Sequence, residues 1–206
     1  MPQTVFTIGH STHTLERLIA LLRLHEITAV VDVRSRPYSR TNPQFNRESL
    51  KDRLRTVGIT YVFLGKELGA RSEDSSCYEN GRVQYGRVAL TELFRQGLDR
   101  VQEGMKKYCL ALMCAEKEPL ECHRTILVAR HLSARGIDVQ HILASGRLES
   151  QTEILDRLMR QLNLPESDMF RSREDVQSDA YRIQESRIAY ASNDVKSNAP
   201  PQGVGR

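Results

Sequence analysis

The 206-residue sequence has no tryptophan, 6% aromatic residues and four cysteines. It has no apolar run approaching the ~18 residues a membrane-spanning helix requires, so neither a helical membrane protein nor a membrane partner is expected. The opening MPQTVFTIGHS lacks a basic stretch followed by a long apolar one. No secretory signal is therefore expected, and the cytoplasm is the expected compartment. Thiols stay reduced there, so Cys77, Cys109, Cys114 and Cys122 do not form a disulfide framework. Charge of one sign is scarce too: thirty Lys+Arg against twenty-six Asp+Glu leave +4, too little alone to require a polyanion. There is no internal repeat. No GxGxxG follows the first apolar run, which disfavours a dinucleotide site of that type.

What is present is ordinary globular composition, with 39% hydrophobic and 27% charged residues. The length fits one α/β domain, residues 1–164, with an extension over 165–206. Short apolar runs read as buried strands at Val5–Ile8, Ala29–Val33, Tyr61–Leu64, Tyr108–Met113 and Val139–Leu143. Between them lie helical patterns. One follows Thr14 as N-cap; others cover Ser49–Val57 before Gly58, Val88–Val101, Arg124–Ala134 before Gly136, and Ile154–Leu162. Beyond Ser167 apolar content thins toward a flexible SNAPPQGVGR, and only Ala180–Ala191 is expected to add a docked helix. Strands alternating with helices imply an open, mainly parallel sheet flanked by helices, Rossmann-like, with a C-terminal extension.

Charge is unevenly spread. Arg34, Arg36, Arg40, Arg47, Lys51, Arg53 and Arg55 face only Glu48 and Asp52 within Arg34–Arg55, a local +5. Such a cluster either binds anions or forms a solvated face, and charge alone favours the face.

Ligands of parallel α/β sheets bind beyond the carboxyl ends of the strands. Three polar clusters fall there: Thr7–Ser11 after the first strand, Asp32–Arg40 after the second, and Cys114-Ala115-Glu116 with Cys122-His123-Arg124 around the fourth. In one reading Cys114, Cys122 and His123, with Glu116, are metal ligands, although the Cys-x7-Cys spacing is wider than the two to four residues usual for zinc. The site assignment therefore includes no metal, and no cofactor is identified. In a second, the N-terminus of the Cys122–Ala134 helix binds a phosphate or carboxylate with Ser11, Arg34, Arg36, Arg40 and Arg124. In the third, His10, Asp32, Glu116, Cys122 and His123 are catalytic, with Cys122 a favoured thiolate and the His and Glu residues moving protons. Each residue also has a structural role open to it, such as Arg124 pairing with Asp32 or Glu116. Their joint placement at one edge favours a pocket.

The motifs TIGHS (Thr7–Ser11), DVRSRPYSR (Asp32–Arg40), YVFLGKELG (Tyr61–Gly69), LMCAEKEPLECHR (Leu112–Arg124) and VQHI (Val139–Ile142) resemble those of the domain of unknown function 488 family over residues 3 to about 145. AYRIQESRIAY (Ala180–Tyr190) resembles its usual ending. The sequence departs after Gly69, where relatives are often Gly-rich and Ala70-Arg71 stands here. The resemblance implies an α/β fold with a site at the strand ends. It supplies no reaction and no catalytic residue, and some relatives carry a DNA-repair label.

Three functions are thus expected in turn: an enzyme acting on a phosphorylated small molecule, nucleotide or nucleic-acid end; a nucleic-acid-binding accessory protein using the Arg34–Arg55 surface, with Tyr38 and Phe45 stacking on bases; and a Cys/His metal protein. Arg124→Ala is expected to abolish ligand binding at a stability change within about 1 kcal/mol, as for a surface residue.

Overall fold

Thr14 accepts a hydrogen bond from the Arg17 N–H and caps the first helix, whose Leu15, Leu18, Ile19 and Leu22 form one buried stripe. The same alternation of apolar strand and amphipathic helix recurs along the chain. The computed structural model describes residues 4–165 and 170–192. In order these are β1 (Thr4–Gly9), α1 (Leu15–Leu24), β2 (Ala29–Asp32), α2 (Arg47–Thr56) and β3 (Thr60–Phe63). A connection then carries α3 (Gly65–Leu68), the hairpin β4 (Tyr78–Glu79) and β5 (Arg82–Val83), α4 (Tyr85–Ala89) and α5 (Glu92–Met105). After β6 (Leu110–Cys114), a π-helical stretch over Arg124–Ala129 runs into α6 (Arg130–Ala134). β7 (Asp138–Ile142), β8 (Leu148–Ser150), α7 (Gln151–Gln161) and α8 (Arg173–Ile188) follow.

The sheet order is β3-β2-β6-β1-β7-β8. All neighbours pair in parallel except β8, which runs antiparallel to β7 at the edge. Side chains alternate across the strands and divide the core. Ile8, Val30, Ala111 and Met113 pack with α1 and α2 on one face. Val31, Val33, Leu112 and Val139 pack with α5, α6, α7 and α8 on the other. The chain thus leaves β1 and β2 over one face and β6 over the opposite face, while β6 lies between β2 and β1. That reversal opens a crevice at the carboxyl end of β6.

The mainly parallel sheet and its flanking helices are as expected; several elements differ. The helix expected over Val88–Val101 is two, because Thr91 accepts from the Phe94 N–H and starts α5 anew. The strand expected from Tyr108 starts at Leu110, leaving Tyr108 exposed and Cys109 half-buried against the core. Cys77 is fully buried. The C-terminal helix starts well before Ala180, at a capping box of Ser172 and Asp175, and ends at Ile188. The expected flexible end, 197–206, lies outside the described residues. No helix among the described residues is long and apolar enough to cross a membrane.

A buried polar chain ties α7 and α8 to the sheet. His141 Nε2 donates to Gln151 Oε1 at 2.7 Å, so its Nδ1 accepts from Thr7 Oγ1 at 2.7 Å; Gln151 Nε2 donates to the Tyr181 hydroxyl at 2.8 Å. Burial pushes His141 down to about 3. Above pH 6.5 it is neutral folded or unfolded and has no effect on stability. As pH falls from 6.5 toward 3, the unfolded chain takes up a proton that the folded chain refuses, and stability drops. Relative to His141→Leu, the wild type should lose about 1.4 kcal/mol per pH unit between pH 6 and 4. Urea unfolding of both proteins at pH 7, 6, 5 and 4 measures this, and parallel profiles would refute it.

Candidate functional site

Cys114 ends β6 facing the α5–α6 side of the sheet. The chain then loops through Glu116 and a 3₁₀ turn at Pro119–Glu121, which Glu118 caps, and returns Cys122 and His123 beside it. The loop closes the Cys-x7-Cys spacing that looked too wide for a shared ligand. Cys114 Sγ, Glu116 Oε2, Cys122 Sγ and His123 Nδ1 all lie within 4.8 Å of one another. Both thiols meet the same carboxylate oxygen, at 3.0 and 2.9 Å. His123 Nδ1 stands 3.7 and 3.9 Å from the sulfurs. Its Nε2 donates to the Val33 carbonyl at 3.1 Å, which fixes the ring and aims Nδ1 at the thiols.

Electrostatically the four groups act together. Burial and the adjacent Cys122 push the Cys114 thiol well up. Burial opposes ionisation of Cys122 as well, but hydrogen bonding with Cys114, the Arg124 charge and His123 outweigh it and bring that thiol well below the usual range. Burial opposes the His123 charge too, yet the Cys122 sulfur raises His123 overall. Burial and then Cys122 raise Glu116, an exposed residue whose carboxylate turns inward onto the thiols. Protons are shared among four groups where one divalent cation would replace them. On tetrahedral zinc, S and N ligands are roughly 3.3–3.8 Å apart at the usual bond lengths, close to the S···N distances here.

Arg124 is fully buried. Its Nη1 and Nη2 donate to the carbonyls of Glu116 and Lys117 at 2.7 and 3.3 Å, so it clamps the loop carrying Glu116. Arg124 forms no ion pair with Asp32 or Glu116, and its full burial removes the surface-residue premise for Arg124→Ala. Gly9 serves the same contact: a Cβ there would stand 1.9 Å from the Glu116 carbonyl oxygen. The helix N-terminus is likewise occupied. Cys122 accepts from the Arg124 N–H at Sγ and from the Thr125 and Ile126 N–H groups at its carbonyl. The segment's π-helical winding also departs from the α-helix expected there.

The other predicted residues form a second cluster on the α1–α2 side. Asp32, fully buried, accepts from Arg34 Nε at 2.9 Å and Nη2 at 2.6 Å, and from the Tyr61 hydroxyl at 2.6 Å. Arg34 also donates to the Phe45 carbonyl and to His10 Nε2. His10 Nδ1 donates to the carbonyl of Ser11, whose left-handed backbone (φ 48°) turns it toward the ring. His10 is thereby a neutral imidazole with both nitrogens engaged, pushed down to about 4 by burial and by Arg34. It stacks on Phe45 at 4.3 Å. Phe45 is itself fully buried, so it is not the base-stacking ring that the sequence suggested.

Three adjoining cavities surround β6. One of about 140 Å³ is lined by Arg34, Arg36, Arg71, Cys114, Glu116 and His123. A second, about 440 Å³, adds His10, Ser11, Tyr38 and Lys117; a third, about 430 Å³, shares Ser35, Arg36 and Arg71 with the first. Arg36 lines all three; Arg40 lines none of them. The remaining charge of Arg34–Arg55 is partly offset by Arg47–Glu48, Arg53–Glu16 and Arg55–Asp52 pairs. Sequence reasoning missed Tyr61, Lys117, Arg71 and the Val33 carbonyl. Tyr61 and Arg71 lay in or beside the YVFLGKELG motif; the carbonyl leaves no trace in a sequence.

No curated protein and no solved structure matches the chain. A family does, over residues 14–131, a stretch that holds the four clustered side chains but not TIGHS or VQHI. The chain belongs to that family, described as Domain of unknown function DUF488.

Proposed function

We propose that the protein is a metal-dependent hydrolase acting beside an anionic group of its substrate. The observation that carries this is the convergence of Cys114, Glu116, Cys122 and His123 within 4.8 Å. Two thiolates and an imidazole suit zinc, and a Cys₂His set with an open fourth position is the pattern of catalytic zinc sites. His123 has the outer hydrogen bond that orients a metal-bound imidazole. Cys114, Cys122 and His123 are buried, whereas Glu116 is exposed on the loop that Arg124 clamps and is the fourth group, open to solvent. Metal lowers the pKa of bound water to about 7. Held by Cys114, Cys122 and His123, it would supply an activated water to the substrate, with Glu116 placed to take the proton from that water and return it to the leaving group. Arg36 and Arg71, which border the same 140 Å³ cavity, supply the positive charge.

Titration of the reduced, metal-free protein with Co²⁺ tests the centre. One equivalent should bind with thiolate charge-transfer absorption and release protons. Cys114→Ser or Cys122→Ser should weaken binding at least ~100-fold, whereas Glu116→Gln should keep the metal. Zinc-loaded wild type should hydrolyse chromogenic phosphate esters, and Glu116→Gln should do so ~100-fold more slowly, the usual contribution of a general base. Absence of stoichiometric uptake would overturn the metal centre; uptake without hydrolysis of any ester would overturn the enzymatic reading.

A further inference from the structure

From the 430 Å³ cavity we infer a binding site for the nucleoside part of a nucleoside monophosphate, with Arg71 as the residue that selects it. This deepens the hydrolase reading and rests on it for what happens to the phosphate. The cavity shares three lining residues, Ser35, Arg36 and Arg71, with the 140 Å³ chamber at the thiol cluster. Two of the three are cations at the boundary. Arg36 forms no ion pair among the described residues. The Arg71 backbone N–H donates to Ser35 Oγ at 2.9 Å, and its guanidinium lies 4.2 Å from the centre of the Tyr190 ring that it covers. A guanidinium fixed this way is pre-organised to grip a phosphate by two N–H groups.

Beyond that boundary the chemistry changes. Tyr78 and Tyr190 line the larger cavity, and Tyr78 is fixed by its hydroxyl donating to the Ser72 carbonyl at 2.9 Å. Ser75 and Glu73 bring polar groups for the heteroatoms of a base or the hydroxyls of a ribose. A volume of about 430 Å³ lies within the ~300–1,000 Å³ range of small-molecule sites. Anion at the neck and flat heteroaromatic in the wider part is the shape of a mononucleotide.

The C-terminal segment completes the site. Val83 N–H donates to the Tyr190 carbonyl at 3.0 Å and Ser192 N–H to the Gly81 carbonyl at 2.7 Å, so residues 190–192 lie along the β4–β5 hairpin. Tyr190 is thereby a positioning residue for Arg71. The cation comes from the loop after Gly69, between α3 and the β4–β5 hairpin.

Calorimetric titration of the full-length protein with adenosine and cytidine 5′-monophosphates tests this, with the nucleosides and inorganic phosphate as separate arms. The monophosphates should bind at least 30-fold more tightly than either half. Arg71→Met should weaken them about 10–100-fold, the loss of a charged two-point hydrogen bond. Tyr190→Ala should weaken them similarly while Tyr190→Phe retains affinity, which separates support of Arg71 from a hydroxyl contact. Monophosphates binding no better than inorganic phosphate, or an Arg71→Met protein with wild-type affinity, would overturn the proposal. Because Arg71 contacts none of the four ligands, the Arg71→Met protein should take up Co²⁺ normally. Intact metal uptake without nucleotide affinity sinks this site alone, whereas failure of metal uptake in the wild type sinks the hydrolase.

Discussion

Arg34→Met is expected to destabilise the protein by about 3–5 kcal/mol, the range for removing one partner of a buried ion pair. Asp32 is fully buried, and Arg34 supplies it with two charged hydrogen bonds from the side chain and a third from its backbone N–H. Tyr61 alone would remain as a side-chain donor to the carboxylate. The same substitution frees the Phe45 carbonyl and His10 Nε2, so three elements lose their common partner. At roughly 2–4 °C per kcal/mol for a chain of this size, the melting temperature should fall by about 6–20 °C. Asp32→Asn combined with Arg34→Met should cost less than the two single changes added together, because no charge is then stranded. Strict additivity in thermal or urea unfolding would show that the pair is not coupled as its geometry requires. Arg34 borders the cavity of the proposed metal centre but its side chain bonds Asp32, Phe45 and His10, so Co²⁺ uptake should persist in whatever fraction remains folded.

Arg124→Met should act on both stability and metal. Two hydrogen bonds from a charged group to carbonyls are lost, each worth about 1.5–3 kcal/mol, against relief of a buried Nε that has no partner. A net loss of about 2–4 kcal/mol is expected. More informative is the metal: the freed carbonyl belongs to Glu116, and Arg124 is also a charge beside Cys122. Outer-shell substitutions lower metal affinity about 10–100-fold, and Co²⁺ titration should find a loss of that size with one-equivalent stoichiometry retained. A stable protein with unchanged metal affinity would mean that the clamp on the Glu116 loop does not matter.

These expectations differ from those drawn on sequence, where Arg124 stood as a surface arginine aimed at a ligand. An arginine after Cys-His at a helix start looks the same whether its guanidinium points out to a pocket or back under a loop. What decides is the path of residues 115–121, and that depends on Gly9 permitting a carbonyl against its Cα. Arg34 and His10 illustrate the same limit. Both were placed correctly at the strand ends, yet their hydrogen-bonding groups are largely spent on each other, Asp32 and backbone carbonyls.

The sheet itself was legible because burial on both faces leaves short apolar strands between amphipathic helices, a pattern local enough to see in one dimension. Boundaries were less so. Thr91 breaks α5 from α4 by capping, a contact no periodicity reports, and α8 begins at Arg173, capped by Ser172, although its first turn, Arg173-Glu174-Asp175, is polar.

By itself, then, the order of residues determined a parallel sheet and the edge of it where reactive side chains gather, since both follow from hydrophobic period and chain direction. Only the folded arrangement decided which of those side chains share a space. Cys114, Glu116, Cys122 and His123 meet because β6 lies between β2 and β1 and its loop doubles back, and Arg71 joins them because Tyr190, 119 positions further on, holds its guanidinium in place. Contacts of that kind arise from three-dimensional packing of distant segments, for which the linear chain carries no spacing rule.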